Sequence, residues 1–376
     1  MDVSVVLPCL NEEKGVGGCI EKIQRVFRRD ELNGEIIVVD NRCTDGTVKI
    51  VNSLNYDNVR IVSEPKRGYG SAYLAGLGAA SGKFVIMGDA DDTYDFNEIP
   101  KFLNYLGEGY DFVIGNRFGS KMEKNTMPWL HQYVGNPILS GLFRIFFSSK
   151  IRDVHCGMRG LRREAIDKLD LKTIGMEFAS EMVIEAIRKN LRIKEFPITY
   201  HKRQGESKLN SFSDGWRHLR FMLMYAPDYL FLIPGVLFFL TGLLLIWLFR
   251  NNVVYGCFSM ILGYQIISLG IFTKIYMKSL GLTKESKLIN YLARVVKFET
   301  GIFIGVILII LSFLISRHEI FDLLVMNFNL ASHSVIILAL TIAVIGVQTM
   351  FSTFLISILL VERKKRGNNS RIMALN

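Results

Sequence analysis

KFVIMGDADD, residues 83–92, is an apolar run that ends in a cluster of carboxylates. The run from Lys83 to Gly88 predicts a short buried strand, because a continuous apolar segment of this length is typical of one. Asp89, Asp91 and Asp92 then emerge together at the C-terminal end of that strand. In an open α/β sheet, this is the end at which ligands bind.

Asp89 and Asp91 are the predicted metal ligands. Two carboxylates separated by one residue can hold a hard divalent cation through oxygen, and such a cation is usually shared with substrate phosphates. We therefore expect Mg2+ or Mn2+ as the cofactor. The alternative is a solvated turn, since aspartate is common in turns.

The first 205 or so residues alternate between strand-like and helix-like segments. This order implies an α/β domain over about residues 1–210, with a mainly parallel sheet and helices on both faces. Short apolar or β-branched runs near turn residues predict the strands. The predicted strands are 3–7, 35–39, 59–62, 83–88, 111–115 and 193–198, and the predicted helices include 12–29, 45–54, 70–80, 129–148 and 176–189.

Residues 229–376 have the composition of a membrane domain. A membrane-spanning helix needs roughly 20 mostly apolar residues, and four stretches approach or exceed that length. The alternative is one large buried helical core, but four such runs in succession favour the bilayer. The predicted spans are about 229–249, 253–273, 300–316 and 335–361.

Residues 211–228 connect the two parts and interleave aromatic with basic side chains. This pattern predicts an amphipathic helix at the membrane interface, with an ordinary surface helix as the alternative. Residues 1–228 hold 32 basic and 30 acidic residues, whereas residues 229–376 hold 13 and 5. The excess positive charge in the membrane part favours an anionic lipid surface as the partner, and not nucleic acid.

Basic residues also predict the topology. They concentrate in the 274–299 loop and in the C-terminal tail, whereas the loops at 250–252 and 317–334 carry only Arg250 and Arg317. Basic loops remain on the cytoplasmic side of membranes. With an even number of spans, we expect the N-terminal domain, the middle loop and the tail all to be cytoplasmic.

Polar residues follow two further predicted strands, Pro8-Cys9-Leu10-Asn11-Glu12 after the first and Asp40 after the second. Acidic groups at these ends can hold a base, a ribose and a metal. No G-x-G-x-x-G follows the first strand and no G-x-x-x-x-G-K-[ST] occurs, which disfavours a dinucleotide-binding fold and a P-loop NTPase. The five cysteines lack C-x-x-C pairing, which gives no zinc site.

The order and spacing of these motifs resemble those of the family 2 glycosyltransferases with the GT-A fold. The likeness covers about residues 1–210, and its later motifs look like the polyprenyl-phosphate branch, which includes the dolichol-phosphate mannosyltransferases. The motifs are P-x-x-N-E from Pro8, V-V-D-x-x-x-x-D-G-T around Asp40, Lys66-Arg67-Gly68-Tyr69-Gly70, Asp89-x-Asp91, Gly115-Asn116-Arg117-Phe118, Asp153-Val154-His155-Cys156-Gly157-Met158-Arg159, Glu177-Phe178 and Arg203-Gln204-Gly205-Glu206-Ser207-Lys208.

The resemblance implies an inverting transfer of one hexose from a nucleoside-diphosphate sugar to a polyprenyl phosphate at the cytoplasmic face of the cell membrane, or of an endoplasmic-reticulum-type membrane. The donor would be of the GDP-mannose or UDP-glucose type and the acceptor dolichyl or undecaprenyl phosphate. The implied catalytic residues are Asp89, Asp91, Arg117 and Arg203. The implied nucleotide-sugar site comprises Pro8, Leu10, Asn11, Glu12, Asp40, Lys66, Gly70, Asp89, Ala90, Asp91, Arg203 and Lys208.

Three basic residues have implied roles in this scheme. Arg203 and Lys208 would close over the diphosphate or the sugar. Arg117 is the candidate for orienting the acceptor phosphate through a bidentate fork, with a structural salt bridge as the alternative. Arg42 departs from the family's D-D-G-S-T-D-G-T pattern, which leaves the nucleotide base open. Asp153 and His155 are expected to shape the site at most.

Two other functions compete with this one. A processive polysaccharide synthase also joins a GT-A domain to a membrane bundle, but its Q-x-x-R-W motif is absent, because Gln204 is followed by Gly-Glu-Ser-Lys. A lipid-linked sugar transporter would be supported by charges within the spans, and the four apolar stretches hold essentially none. The sugar, the prenol and the oligomeric state stay open.

Overall fold

A computed structural model describes residues 1–119, 126–205, 211–249, 253–279, 298–324 and 332–373. The chain divides into two compact units, Met1–Met222 and Leu223–Asn376. The boundary falls within the helix Ser211–Tyr225, inside the segment that the sequence predicts as the connection.

The first unit contains a seven-stranded mixed sheet in the order β3-β2-β1-β4-β6-β5-β7. Neighbouring strands pair in parallel except β6, which runs antiparallel to β4 and to β5. The six predicted strands are confirmed, and β6 is additional. The strands are β1 Val3–Cys9, β2 Gly34–Asp40, β3 Val59–Ser63, β4 Phe84–Met87, β5 Phe112–Asn116, β6 Arg159–Arg162 and β7 Ile193–Pro197.

Helices connect these strands as the β-α-β order predicts, and two short ones, α4 and α6, add to the predicted set. The predicted helix 129–148 begins as a wide turn at His131–Gly135 and becomes regular at Asn136, where Pro137 fits the first turn. The helices of this unit are α1 Val16–Arg29, α2 Thr47–Ser53, α3 Tyr69–Ala79, α4 Ile99–Gly107, α5 Asn136–Phe147, α6 Arg163–Ile166, α7 Phe178–Arg188 and α8 Ser211–Tyr225.

Glu35 anchors the sheet at the edge opposite to the strand ends that carry the motifs. Its Oε1 accepts hydrogen bonds from Ser4 Oγ at 2.6 Å and from Ser81 Oγ at 2.6 Å, and its Oε2 from Arg60 Nε at 2.9 Å. Burial alone would raise the pKa of Glu35, but these donors lower it to about 2. The charged carboxylate therefore ties β1, β2 and β3 together.

The second unit contains four long helices, α9 Ile233–Leu248, α10 Val254–Ser279, α11 Phe298–Leu324 and α12 Ser332–Met373. Each of the four apolar stretches predicted from the sequence is helical. The spans that are long and apolar enough to cross a membrane are Asp228–Leu248, which joins the wide turn Asp228–Leu232 to α9, Val254–Lys278, Phe298–His318 and Ser334–Leu360. Their mostly exposed apolar surfaces fit a bilayer environment.

Small residues allow the membrane helices to pack closely. A side chain on Gly242 of α9 would come within 2.6 Å of the Gly256 carbonyl of α10, and one on Gly305 of α11 would come within 2.6 Å of the Gly346 carbonyl of α12. Close backbone approach at small residues is the usual basis of helix association in lipid. The unit is thus formed from two helical hairpins, α9–α10 and α11–α12.

Candidate active site

The parallel register of the sheet brings the motif-bearing strand ends together. Val6 of β1 pairs with Met87 of β4, and Gly88 N–H donates to the Val6 carbonyl at 3.2 Å. The segment after Pro8 and the segment after Gly88 therefore leave the sheet side by side, as the sequence predicts.

Asp89 is held by two tyrosines of α3. Its Oδ1 accepts hydrogen bonds from Tyr73 Oη at 3.1 Å and from Tyr69 Oη at 3.2 Å. Within the described residues its Oδ2 accepts none. Burial, together with the neighbouring charge of Asp91, raises the pKa of Asp89 to about 7. A bound cation would relieve this cost and favour the ionised carboxylate.

Asp91 is likewise held by hydrogen bonds to its Oδ1 atom, here from Thr93. This oxygen accepts from Thr93 Oγ1 at 2.6 Å and from Thr93 N–H at 3.2 Å, and Oδ2 lies 3.1 Å from Arg203 Nη1. Arg203 also bonds Glu12 Oε1 through Nη2 at 2.7 Å. The guanidinium thus joins two of the predicted nucleotide-sugar residues.

The segment that carries Arg203 is attached to the acidic loop through its backbone. Gln204 N–H donates to the Asp91 carbonyl at 3.0 Å, and His201 N–H donates to the Thr93 carbonyl at 2.8 Å. Arg203 is therefore fixed at the carboxylate cluster in this structure. Lys208, its predicted partner, lies outside the described residues.

The donor atoms at this edge fit a divalent metal that also binds substrate. In the described ranges no group of three or more His, Cys, Asp or Glu residues forms a closed metal site. Asp89 and Asp91 offer two hard oxygen ligands, which suffices for a cation that is shared with phosphates. The guanidinium of Arg203 already places a positive charge at Asp91 Oδ2.

Two glycines leave the space that the acidic loop requires. A side chain on Gly157 would come within 2.9 Å of Asp89 Oδ2, and one on Gly15 would come within 2.5 Å of the Ala90 carbonyl. Gly157 N–H also donates to Tyr94 Oη at 2.7 Å. The predicted residue Ala90 is thus buried between the acidic carboxylates and the start of α1.

Hydrogen bonds connect the loops that follow β1 and β2, which contain several of the predicted nucleotide-sugar residues. Asn11 has a left-handed backbone, with φ 56°, and its Oδ1 accepts from Thr44 N–H at 2.7 Å. Asp40 Oδ1 accepts from Cys43 N–H at 2.8 Å. The ends of β1 and β2 therefore support each other. Pro8 and Leu10 are half-buried along the same segment.

Asn41 organises the turn that contains Lys66 and Gly70. Its Nδ2 donates to the Lys66 carbonyl at 2.8 Å, and its Oδ1 accepts from Gly68 N–H at 2.8 Å. The Lys66 side chain is exposed. Gly70 N–H donates to the Ile174 carbonyl at 2.9 Å, and a side chain there would clash with the Thr173 carbonyl. Gly70 thus has a packing reason to be glycine.

Arg117 is buried and forms a bidentate pair with Asp153. Its Nε lies 2.8 Å from Oδ2 and its Nη2 lies 2.8 Å from Oδ1, and Arg117 N–H also donates to Oδ2 at 3.0 Å. The two guanidinium nitrogens expected to bind the acceptor phosphate bind the Asp153 carboxylate instead, which is the structural salt bridge given as the alternative. Nη1 has no hydrogen-bond partner among the described residues.

His155 lies beside a second histidine from α8. Ser180 Oγ is 2.9 Å from His218 Nδ1 and 3.3 Å from His155 Nε2, and the two rings are 4.3 Å apart. Burial lowers the pKa of His218 to about 4 and lowers that of His155 well below its usual value. Both shifts favour the neutral imidazole, and Ser180 bridges the two rings at this position.

Several residues that fix the site are absent from the predicted set. Tyr69 belongs to one of the motifs, but its bond to Asp89 depends on the position of α3 above the sheet. Tyr73 belongs to no motif, and only its helical spacing from Tyr69 relates it to the site. Thr93 stands two residues after Asp91, the spacing at which a hydroxyl can bond a carboxylate. Gly157 belongs to a quoted motif, and only the structure explains why it must be glycine.

The sheet, its acidic edge and the apolar helices together define a GT-A glycosyltransferase with a membrane domain. Comparison with known families agrees in both parts of the chain. The model described as Glycosyl transferase family 2 matches residues 4–170, and the model of the Glycosyltransferase family 2 C-terminal transmembrane region matches residues 271–360. The chain belongs to glycosyltransferase family 2 and is a multi-pass membrane enzyme.

Three curated relatives carry informative names. The low-salt glycan biosynthesis hexosyltransferase Agl6 of Haloferax volcanii is 37% identical over 369 residues, which cover 94% of this chain and 88% of the relative. The dolichyl-phosphate hexose transferase of the same organism is 32% identical, over 57% of this chain and 89% of its own. The dolichol-phosphate mannosyltransferase of Pyrococcus furiosus is 26% identical, over 82% and 88% respectively.

Proposed function

We propose that this enzyme transfers one hexose from a nucleoside-diphosphate sugar to the phosphate of a polyprenyl lipid. The observation that carries the proposal is the arrangement of Asp89 and Asp91. Each carboxylate accepts its hydrogen bonds through Oδ1. The Oδ2 of Asp89 accepts none from the described residues, and the Oδ2 of Asp91 pairs with the cation of Arg203. The names of the relatives support the acceptor class.

The donor half of the proposal requires charge neutralisation at a diphosphate. Asp89 and Asp91 would hold Mg2+ or Mn2+, which supplies Lewis-acid stabilisation of the charge on the leaving nucleoside diphosphate. Arg203 carries the nearest described positive charge to Asp91, so it is suited to bind the same diphosphate. Glu12 orients that guanidinium from the opposite side.

The acceptor half requires no strong general base. A phosphate monoester loses its second proton near pH 6, and its oxygen is therefore nucleophilic at neutral pH. That oxygen forms a bond to the anomeric carbon as the bond to the diphosphate breaks, which inverts the configuration. The neutral, buried His155 and His218 are not required for proton transfer in this scheme.

Arg117 stays the candidate for the acceptor side in a modified form. Asp153 fixes the orientation of the guanidinium, and Nη1 is the nitrogen that a phosphate oxygen could reach. Because Asp153 occupies Nε and Nη2 and fixes the guanidinium, Nη1 can still donate to an anion in a defined direction. The predicted cytoplasmic position of the catalytic unit, and of the interfacial helix over 211–228, would place this chemistry at the lipid head groups.

A panel of substrates tests this proposal directly. The purified chain in lipid nanodiscs would receive radiolabelled GDP-mannose, UDP-glucose or related donors, with dolichyl or undecaprenyl phosphate as acceptor. We expect counts in the lipid extract for one preferred pair, and none when the lipid lacks its phosphate. Transfer to water alone, or to soluble glycans in preference to the lipid, would contradict the proposal.

A further inference from the structure

Exposed apolar side chains of the catalytic unit are concentrated in one segment, between the end of β5 and the start of β6. Elsewhere among the described residues of this unit, large apolar side chains are exposed only at Met1, Ile174 and Trp216. The two rings at the start of the segment pack on each other, with their centroids 6.1 Å apart. The apolar patch, as we call this set, consists of Trp129, Leu130, Tyr133, Ile138 and Ile145.

The patch results from the composition of the helix that carries it. The chain is helical over residues 129–147, including the wide turn before α5. Helix α5 reads NPILSGLFRIFF, in which Arg144 is the only charged residue. Phe143 is fully buried on its inner face, whereas Ile138 and Ile145, two turns apart, are exposed on its outer face. A helix that is apolar on all sides is normally buried in a protein core or in lipid.

Exposure of this patch to water is unfavourable. Trp129 is 68% exposed and Tyr133 is 62% exposed, although both carry large apolar rings. Removal of apolar surface from water is the main favourable contribution to most associations. Large exposed apolar patches on soluble domains accordingly mark contacts with proteins or membranes. The patch is therefore a contact surface, and its surroundings indicate what it contacts.

The residues of this segment favour a lipid surface as the partner. Tryptophan and tyrosine are enriched at membrane interfaces, where the ring contacts apolar chains and the polar group remains hydrated. Residues 126–150 contain two exposed basic side chains, Arg144 and Lys150, and no Asp or Glu. A positive charge beside an apolar face is complementary to anionic lipid head groups.

The position of the segment in the chain supplies a second argument. Helix α8 ends at Tyr225 and the first membrane span begins at Asp228, so the catalytic unit is tethered next to a bilayer. A short tether gives a second contact a high effective concentration. The segment also begins and ends at the motif-bearing edge of the sheet, because Arg159 at the start of β6 pairs with Met87 at the end of β4.

We propose that the apolar patch is a second membrane-contact surface of this enzyme, in addition to the predicted interfacial helix over 211–228. Its apolar side chains insert at the boundary between acyl chains and head groups, and Arg144 and Lys150 bind anionic head groups. The contact itself is independent of the donor and of the acceptor. Its consequence for catalysis rests on the proposed function, since it would hold the motif-bearing edge near the head group of a polyprenyl phosphate.

Quenching of Trp129 fluorescence by brominated lipids tests this contact in the full chain. Trp216→Phe with Trp247→Phe leaves Trp129 as the only tryptophan. In vesicles of phosphatidylcholine and phosphatidylglycerol, we expect bromines near the head-group end of the acyl chains to remove most of its emission. Bromines deep in the bilayer should remove less, because an interfacial helix is inserted only to a shallow depth.

A matched control places the single tryptophan elsewhere on the catalytic unit. Arg29→Trp, combined with replacement of the three native tryptophans by phenylalanine, puts the ring at an exposed site at the end of α1. This site is close in the chain to Glu35, at the opposite edge of the sheet. Its emission should be unaffected by either brominated lipid. Equal quenching at both sites would overturn the proposal.

Substitutions within the patch test its chemistry. Ile138→Asp should reduce the quenching of Trp129, whereas Ile174→Asp, at an exposed apolar residue outside the patch, should not. Omission of phosphatidylglycerol should also reduce the quenching, and Arg144→Gln with Lys150→Gln should abolish this dependence on the anionic lipid. The unfolding temperature would confirm that each variant is folded.

Two results would contradict the account of this surface. Emission from Trp129 that neither brominated lipid quenches would overturn the proposal, including the case in which another protein covers the patch. Quenching that is the same with and without phosphatidylglycerol would overturn the role of Arg144 and Lys150. Because neither result depends on sugar transfer, both are distinguishable from a failure of the proposed function.

Discussion

The Nη1 atom of Arg203 lies 3.1 Å from Oδ2 of Asp91. A positive charge thus stands at the carboxylate that the family motif would assign to a metal. Because Glu12 binds the same guanidinium at 2.7 Å, the cation is shared between the ends of β1 and β4. Arg203 and a divalent metal would compete for one carboxylate oxygen, and this competition has measurable consequences.

Arg203→Gln should separate metal binding from catalysis. Without the guanidinium, Asp91 Oδ2 is free, so Mn2+ should bind the substrate-free enzyme more tightly, as measured by electron paramagnetic resonance. Turnover should nevertheless fall about ten- to hundredfold, because a charged hydrogen bond to the departing diphosphate is lost. The exposed Arg217→Gln serves as the control. Unchanged Mn2+ affinity together with unchanged kcat would contradict this assignment.

Arg117→Met should unfold the catalytic unit more readily. It leaves the fully buried carboxylate of Asp153 without its partner, which typically costs about 3–5 kcal/mol. The same change at the exposed Arg29, which pairs with Asp30, should cost far less, because solvent screens an ion pair at the surface. Denaturant unfolding of the full chain in detergent would measure both losses, and equal losses would contradict the expected cost of leaving Asp153 without its partner.

Arg117→Lys addresses the role of Arg117 at the acceptor. It keeps the charge and removes the fork, so the fold should survive better than in Arg117→Met. We expect KM for the lipid phosphate to rise more than KM for the sugar nucleotide. An equal effect on both substrates would remove Arg117 from the acceptor side while leaving the transferase assignment intact.

Glu35 should contribute stability that depends on pH. Its folded-state pKa of about 2 lies below its usual value of 4.5. The contribution is therefore complete above about pH 4.5 and is lost as pH falls toward about 2. The difference in unfolding temperature between the wild type and Glu35→Gln should shrink across that interval, and a constant difference would indicate that the carboxylate is not the stabilising form.

The predicted topology can be tested by cysteine labelling in sealed vesicles. Single cysteines at Asn251 and Asn368 fall in a charge-poor loop and in the basic tail, respectively. Basic segments remain cytoplasmic, so an impermeant reagent should label the two sites from opposite sides of the membrane. Labelling from the same side would mean that the number of spans is odd.

Most of the catalytic fold could be predicted because its central strands are continuous apolar runs. Strand β6 could not, because Arg159-Gly160-Leu161-Arg162 has no apolar run. Two nitrogens of its fully buried Arg159 donate to backbone carbonyls, Nε to Cys156 at 2.8 Å and Nη2 to Val154 at 2.9 Å. The strand forms because it pairs with β4 and β5, which lie far from it in the chain, and a linear pattern does not contain such pairings.

The candidate site was predictable to a similar degree. Asp89 and Asp91 follow directly from the end of a strand, and their proximity to Glu12 follows from a parallel register. The occupation of the Arg117 fork by Asp153 could not be predicted, since the two residues are joined only in the folded chain. The same holds for Tyr73, whose hydroxyl reaches Asp89 because α3 packs over β1.

The most direct test of the central claim is the mass of the lipid product formed by membranes that contain the wild type or one of three variants. We predict a polyprenyl phosphate that carries one hexose, which disappears in EDTA and falls at least about a hundredfold in Asp89→Asn and Asp91→Asn. Asp92→Asn should retain activity, because Asp92 pairs with Lys22 and not with the site. A product with a ladder of sugars, no lipid-linked product with any donor, or full activity of the Asp89 and Asp91 variants in chelator would contradict the account.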